Sequence, residues 1–219
     1  MSTFGGMNSV SRNAEGKPTD LIKIDEQTQS AHFQTFRKNL PQNQSPKELF
    51  LKVIRAFNKY KIPYLVIGGI AVRKYDRARK TEDLDLFVRP DTATLRKTIE
   101  VLKKLDYSEC FYYDPSKQSW HPIGLVKSVG ADTLKNYDTV RFLGLYPLDL
   151  MVASDAPDSK KYFDQMLKNA LETKVFGEKL SVIHIQDLIS SKLMSTRPKD
   201  VADKGRLSRI LKEVQKLVK

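Results

Sequence analysis

The spacing of apolar residues after position 44 predicts an alternation of helices and strands. Apolar residues recur at helical spacing from Leu49 to Phe57, after the capping sequence SPKE that begins at Ser45, and Pro63 ends this helix. Helical spacing predicts further helices over Ala71–Tyr75, Asp91–Leu105, Tyr162–Leu171, Gln186–Met194 and Pro198–Leu217. Short apolar runs and period-two alternation predict strands over Tyr64–Ile67, Asp83–Val88, Thr139–Leu145, Pro147–Val152 and Val175–Ile185, the last as a strand or a hairpin.

This order of elements predicts an α/β (α+β) fold, a mixed sheet flanked by helices with a helical C-terminal part. Residues 1–44 are polar and are expected to be largely irregular, with a short helix near 30–38. Residues 107–137 indicate loops with short strands. We expect a core over residues 45–155 and a C-terminal strand and helical part over residues 156–219.

Two acids occupy alternate positions of one predicted strand, in the sequence DLDL. Leu84 and Leu86 can enter the core, which leaves Asp83 and Asp85 on the other face, roughly 7 Å apart. Carboxylates at that distance repel each other, and a divalent cation between them removes the repulsion. The alternative is a solvated strand face on which both acids pair with Arg or Lys.

A third acid and a pair of glycines extend this pattern. Asp149 lies between two leucines in another predicted strand, and three acids on adjacent strands would suit a two-metal phosphoryl-transfer site. Gly68 and Gly69 follow a strand and precede a helix, where the backbone can approach a phosphate. The alternative for the glycines is a tight turn.

Charge and cysteine content narrow the class of protein. The formal net charge is +12, and residues 192–219 carry nine Lys or Arg against three Asp or Glu, 9 − 3 = +6. Such an excess favours an anionic partner such as RNA or a nucleotide. With Cys110 as the single cysteine and no secretory or membrane-spanning segment recognised, we expect a cytoplasmic protein without disulfides or a membrane partner.

The glycine pair, thirteen residues and the DLDL strand resemble the nucleotidyltransferase superfamily, which shares a polymerase-beta-like minimal fold. The matching residues are Gly68, Gly69, Asp83, Asp85 and Asp149. RKTEDLDLFV resembles a form found in bacterial members, which include the toxin-type enzymes of abortive-infection systems and the lincosamide and aminoglycoside nucleotidyltransferases. IQDLISSKLMSTRPKDVADKGRL is similar to a segment of the toxin-type and related uncharacterised members. The chain has Gly69 where many members have a serine that contacts phosphate.

The resemblance implies a metal-dependent enzyme that transfers a nucleoside monophosphate from a nucleoside triphosphate (NTP) such as ATP to an acceptor hydroxyl. Mg²⁺ or Mn²⁺ would be held by Asp83, Asp85 and Asp149, with Asp149 also assisting acceptor activation. The acceptor would be RNA such as tRNA, or protein, and a toxin-type enzyme would have a cognate antitoxin. The alternatives are an antibiotic-modifying adenylyltransferase, which the positive charge disfavours, and a non-catalytic nucleotide- or RNA-binding member of a toxin–antitoxin pair.

Further residues receive a role from the resemblance or from their position. Arg79 and Thr81 would hold triphosphate oxygens, or form a solvated basic loop. Lys192 would contact the nucleotide phosphates, or extend from the edge of the core. Asp200 would match the later acid of the subgroup and, with Asp203 one turn later, act as a base or orienting acid for the incoming hydroxyl, or the two acids would pair locally with Lys199 or Lys204. His184 is expected to be structural. The aromatic residues of the 107–137 segment could stack a base but are more often packing residues.

Overall fold

The computed structural model describes residues 46–79, 81, 83–144, 146–152, 158–193, 195 and 197–217. The predicted tail over residues 1–44, its helix near 30–38 and the predicted N-cap Ser45 lie outside the described residues. The predicted α/β architecture is confirmed. Among the described residues, eight strands form one mixed sheet in the order β4-β3-β5-β6-β2-β1-β8-β7.

The strands are β1 (Tyr64–Val66), β2 (Leu84–Val88), β3 (Glu109–Asp114), β4 (Ser119–Leu125), β5 (Thr139–Leu143), β6 (Leu148–Val152), β7 (Leu171–Val175) and β8 (Glu178–Val182). The helices are α1 (Pro46–Lys59), α2 (Gly68–Tyr75), α3 (Thr92–Lys104), α4 (Ala131–Leu134), α5 (Ser159–Asn169), α6 (Ile185–Ser191) and α7 (Pro198–Leu217), with a 3-10 turn at Val126–Ser128. None of these helices is both long and apolar enough to cross a membrane.

The centre of the sheet combines two parallel and two antiparallel contacts. Strand β2 pairs in parallel with β6 and antiparallel with β1, while β1 pairs in parallel with β8 and β6 antiparallel with β5. The strands after residue 156 therefore extend the same sheet as the preceding core. Helix α2 packs on β2 and against α6 and α7, so the C-terminal helices lie beside the β1–α2 turn.

Local sequence accounts for the element boundaries near the centre. Leu84 and Leu86 are fully buried while Asp85 is only half-buried, as the alternation in β2 predicts. Asp91 caps α3, because its carboxylate accepts hydrogen bonds from the Thr94 N–H at 2.9 Å and the Thr94 hydroxyl at 2.8 Å.

Three predictions from spacing differ from the structure. Helix α2 begins at Gly68, three residues before the predicted start, so the glycine pair forms the first turn of the helix. The 107–137 segment, expected as loops with short strands, contains a hairpin of the six-residue β3 and the seven-residue β4, whose register shifts between Cys110 and Phe111. The helix expected to reach Leu171 ends at Asn169, and Leu171 begins strand β7 of a hairpin whose turn residues, Phe176 and Gly177, both have positive φ angles.

Candidate functional site

The three predicted acids lie together at the centre of the sheet. The parallel register of β2 and β6 places Asp85 directly beside Asp149, and Asp83 immediately precedes β2 on the same side as Asp85. The structure therefore brings together the residues that sequence spacing alone could only place on two separate strands.

The glycine pair is packed against the middle acid and the preceding loop. A Cβ on Gly68, whose φ is +59°, would lie 2.0 Å from Asp85 Oδ2, so both the backbone angle and the space require glycine. A Cβ on Gly69 would lie 2.3 Å from Thr81 Oγ1. The Gly69 N–H donates a 3.3 Å hydrogen bond to Asp85 Oδ2. Glycine at both positions lets Asp85 and Thr81 pack against the start of α2.

The electrostatic setting of Asp85 opposes its ionisation. Burial of the carboxyl group, followed by repulsion from Asp149 and Asp83, raises the pKa of Asp85 to about 7, although the Gly69 hydrogen bond and the charge of Lys199 act in the opposite direction. The residue as a whole is half-buried, while its carboxyl group is enclosed between the glycine turn and the other acids. A cation bound here would reverse this penalty.

One internal cation already neutralises part of the acid group. Arg141 lies opposite Asp149 in the antiparallel β5–β6 register and donates from Nε and Nη2 to its two carboxylate oxygens, both at 2.7 Å. Arg141 Nη2 also lies 3.7 Å from Asp83 Oδ2. The guanidinium carbon lies 4.3 Å from the centre of the Trp120 ring. Residue spacing does not identify Arg141, because its position beside the acids depends on the pairing of β5 with β6.

The chemistry of the donors suits a divalent cation on two of the three acids. Asp83 and Asp85 share one face beside the glycine turn, and Mg²⁺ commonly binds one or two carboxylates together with phosphate oxygens. Both oxygens of Asp149 are engaged by Arg141. Across the described ranges, no set of three or more His, Cys, Asp or Glu side chains is arranged to hold a metal ion. The three-ligand site stays a prediction.

A second group of charged residues joins α6, α7 and the loop before β2. Lys192 Nζ lies 2.5 Å from Asp200 Oδ1 and 3.4 Å from Asp203 Oδ2. Arg79 Nε donates to Asp203 Oδ1 at 3.0 Å, and Arg197 Nη2 lies 2.6 Å from Asp200 Oδ2. We call these five residues the Lys192 cluster. Lys192, Asp200 and Asp203 are 7%, 3% and 1% exposed, so the ion pairs of Lys192 are buried, whereas the Arg197 side chain is 59% exposed.

The cations around Asp200 outweigh the cost of burying its carboxyl group. Burial raises the pKa of Asp200, but hydrogen bonds from Lys192 and Ser195 and the charges of Lys192 and Arg197 lower it to about 2 overall. The phosphate-binding roles predicted for Lys192 and Arg79, and the catalytic roles predicted for Lys192 and Asp200, stay predictions. In the structure these side chains bond one another.

The other residues considered from sequence occupy packing or capping positions. His184 Nδ1 accepts the Gln186 N–H at 3.3 Å and so caps α6. The Tyr112 ring stacks on His121 at 5.3 Å and on Tyr137 at 4.5 Å.

Lys199 was considered only for local pairing, yet it is an exposed cation in the first turn of α7 whose charge acts on Asp85.

Similarity to known proteins is confined to structure. The lincosamide antibiotic adenylyltransferase LnuA, solved with lincomycin bound, is 14% identical over 78% of this chain and 99% of its own, with a TM-score of 0.46. ANT(2")-Ia in complex with adenylyl-2"-tobramycin is 14% identical over 75% of this chain and 90% of its own, with a TM-score of 0.46. A nucleotidyltransferase-like protein from Paracoccidioides brasiliensis is 16% identical over 77% of each chain, with a TM-score of 0.43.

No protein-family model matches the chain, and no curated protein matches it in sequence. Because the three TM-scores lie below 0.5, the function proposed below rests on this chain's own residues.

Proposed function

We propose that the chain is a nucleotidyltransferase that moves a nucleoside monophosphate from an NTP to an acceptor hydroxyl. One observation carries this proposal. Asp85 is enclosed beside a glycine turn, in register with Asp149 and on the same side as Asp83, where burial and then repulsion from these two acids raise its pKa. A fold does not retain such repulsion for stability, so the acids are better explained by a cationic ligand.

Asp83 and Asp85 are the residues that would hold Mg²⁺ or Mn²⁺. Such an ion, when bound, neutralises charge on the triphosphate during transfer. Thr81 packs against Gly69, and the charge of Lys199 acts on Asp85. We assign both to the phosphate oxygens, because one is a hydroxyl donor and the other an exposed cation. Arg79 positions the loop that carries Thr81, through its bond to Asp203.

The reaction exchanges one phosphorus–oxygen bond for another. The acceptor oxygen bonds to the α-phosphorus, the bond from that phosphorus to the pyrophosphate oxygen breaks, and the hydroxyl proton passes to water. The predicted role of Asp149 in acceptor activation is replaced in this proposal, since both of its oxygens accept hydrogen bonds from Arg141. We assign Asp149 to holding that guanidinium beside the reacting groups.

The acceptor that best fits the surface charge is RNA, with tRNA as the first candidate. Beyond the site formed by Asp83, Asp85 and Asp149, helix α7 carries exposed basic residues at Arg209, Lys212 and Lys216. Cations in such a row suit successive phosphates of a nucleic acid backbone. A toxin-type role with a cognate antitoxin is a further part of this proposal, and it predicts a growth defect on expression that Asp85→Ala removes.

Transfer of radiolabel from each α-labelled NTP to total tRNA, in the presence of Mg²⁺, tests the proposal. We expect labelled tRNA with wild-type protein and none with Asp83→Ala. Asp132→Ala is a matched control, because Asp132 is an acid with an 88% exposed side chain on α4, and it is expected to retain transfer. Label on protein instead of RNA would contradict the proposal that RNA is the acceptor. Absence of label on tRNA, protein and aminoglycosides would contradict the proposed nucleotidyltransferase activity.

A further inference from the structure

Arg141 lies at the acid site, formed by Asp83, Asp85 and Asp149, and contacts residues of two other strands. Its guanidinium forms a two-bond fork with Asp149, at 2.7 Å for each bond, and lies 4.3 Å from the Trp120 ring centre. Trp120 comes from β4 and Asp149 from β6, so residues of two other strands fix the orientation of the Arg141 side chain. Arginine suits this position because it is planar and stays charged.

Including Arg141 changes the net charge of the side chains at the acid site. Asp83, Asp85 and Asp149 carry three negative charges when ionised, and Arg141 carries one positive charge, which leaves −3 + 1 = −2. One divalent cation balances the charge of these protein groups, but a bound triphosphate adds negative charge of its own, so geometry decides the number of cations. Arg141 occupies both oxygens of Asp149 and lies 3.7 Å from Asp83, which leaves Asp83 and Asp85 as the ligands of one cation.

We propose that this site takes one divalent cation, on Asp83 and Asp85, and that the Arg141 guanidinium stands in place of a second. This inference rests on the proposed function and departs from the two-metal arrangement expected from the sequence. Arg141 is in this view a positioning residue for Asp149 and a permanent positive charge next to the reacting phosphate. Asp149 then acts through Arg141 and is not a metal ligand.

A count of bound metal tests the inference without relying on activity. The full chain is dialysed to equilibrium against Mn²⁺ and each of the four α,β-methylene NTP analogues, and bound Mn²⁺ and bound nucleotide are counted in parallel. We expect one Mn²⁺ per nucleotide bound. Two Mn²⁺ per nucleotide would overturn this inference and leave the proposed function standing, whereas no Mn²⁺ would overturn both.

Variants at Arg141 give the matched comparison. Arg141→Gln frees both oxygens of Asp149, so we expect the count to rise from one Mn²⁺ to two. Arg141→Lys keeps a positive charge without the fork, and we expect its count to stay at one. A count that stays at one in Arg141→Gln would contradict the inference. Circular dichroism establishes that each variant is folded, and the wild-type and Arg141→Lys counts decide the question if Arg141→Gln does not fold.

Discussion

The acid site and the Lys192 cluster contain similar residues but differ in charge balance. At the acid site, one guanidinium faces three carboxylates, and the pKa of Asp85 is raised to about 7 by burial and by its two neighbours. In the Lys192 cluster, three cations surround two carboxylates, and the pKa of Asp200 is lowered to about 2 despite burial.

This difference in charge balance distinguishes acids that stabilise the fold from acids that we expect to bind a cation. A buried carboxylate with its own cations contributes to the folded state, and removal of one partner leaves an uncompensated charge. A carboxylate held beside other carboxylates weakens the folded state until a cation binds. Substitutions in the two regions should therefore change the stability of the ligand-free protein in opposite directions.

The largest change in the free energy of unfolding is expected from Asp203→Ala in the Lys192 cluster. This change removes a 1% exposed acid and leaves Lys192 and Arg79 with one partner fewer. We expect the free energy of unfolding in urea to fall by about 3–5 kcal/mol. Asp132→Ala, at an exposed acid, is the control and should change it little. A loss below about 1 kcal/mol for Asp203→Ala would show that the cluster does not stabilise the fold.

Asp85→Asn is expected to raise the free energy of unfolding, which is the opposite of the change expected for Asp203→Ala. The pKa of Asp85 is raised from 3.8 to about 7, so its contribution to stability is fully present below pH 3.8 and is lost as the pH rises through about 7. The amide cannot ionise and retains that contribution. We expect Asp85→Asn to be more stable than wild type by about 2 kcal/mol at pH 8 and similar to it near pH 4.

Urea denaturation of both proteins at the two pH values, without metal, measures this difference. Asp132→Asn should show no such pH-dependent gain. A variant less stable than wild type at pH 8 would mean that the Asp85 carboxylate is compensated in the ligand-free protein, and the contrast between the two regions would disappear.

A smaller loss of stability is expected from Gly68→Ala. The methyl group would meet Asp85 Oδ2 at 2.0 Å, at a backbone φ of +59°, and the left-handed conformation alone costs about 1–2 kcal/mol. Because Asp85 must move, Mn²⁺ affinity should fall along with stability. Gly130→Ala is the control, since its Cβ meets nothing within 4 Å. Unchanged thermal unfolding and Mn²⁺ binding in Gly68→Ala would contradict the packing described here.

The smallest effect is expected from a charge pair outside both regions. Arg55 donates to Glu178 at 2.8 Å, but its side chain is 57% exposed. We expect Arg55→Ala to lower the free energy of unfolding by less than about 1 kcal/mol. A loss as large as that of Asp203→Ala would show that burial does not distinguish these ion pairs.

Sequence patterns predicted the parts of the fold that have regular alternation. Strands β2 and β6 each alternate leucines with acids, and both were predicted near their observed bounds. Short strands were expected within 107–137, but the position of β4 was not predicted, because it is an edge strand that includes Pro122 and Gly124, and all its residues are partly or fully exposed. No continuous apolar face marks such a strand.

The candidate site was predicted in its residue types but not in its pairings. Asp85 and Asp149 could be chosen because acids are unusual between leucines, and Asp83 because it lies two residues before Asp85 on the same face of the strand. The bond between Arg141 and Asp149 follows from the β5–β6 register, and the Lys192 contacts follow from the packing of α6 on α7. Both depend on tertiary arrangement, which residue spacing along the chain does not specify.

Metal-dependent stabilisation tests the contrast between the two regions most directly. Thermal unfolding is followed while Mn²⁺ is raised in the presence of an α,β-methylene NTP analogue, for wild type, Asp83→Ala and Lys192→Met. We expect wild type and Lys192→Met to gain stability, by about 2.7 kcal/mol at a ligand concentration 100 times the Kd, and Asp83→Ala to gain almost none. Equal gains in wild type and Asp83→Ala, or no gain in Lys192→Met, would contradict the assignment of ligand binding to the acid site.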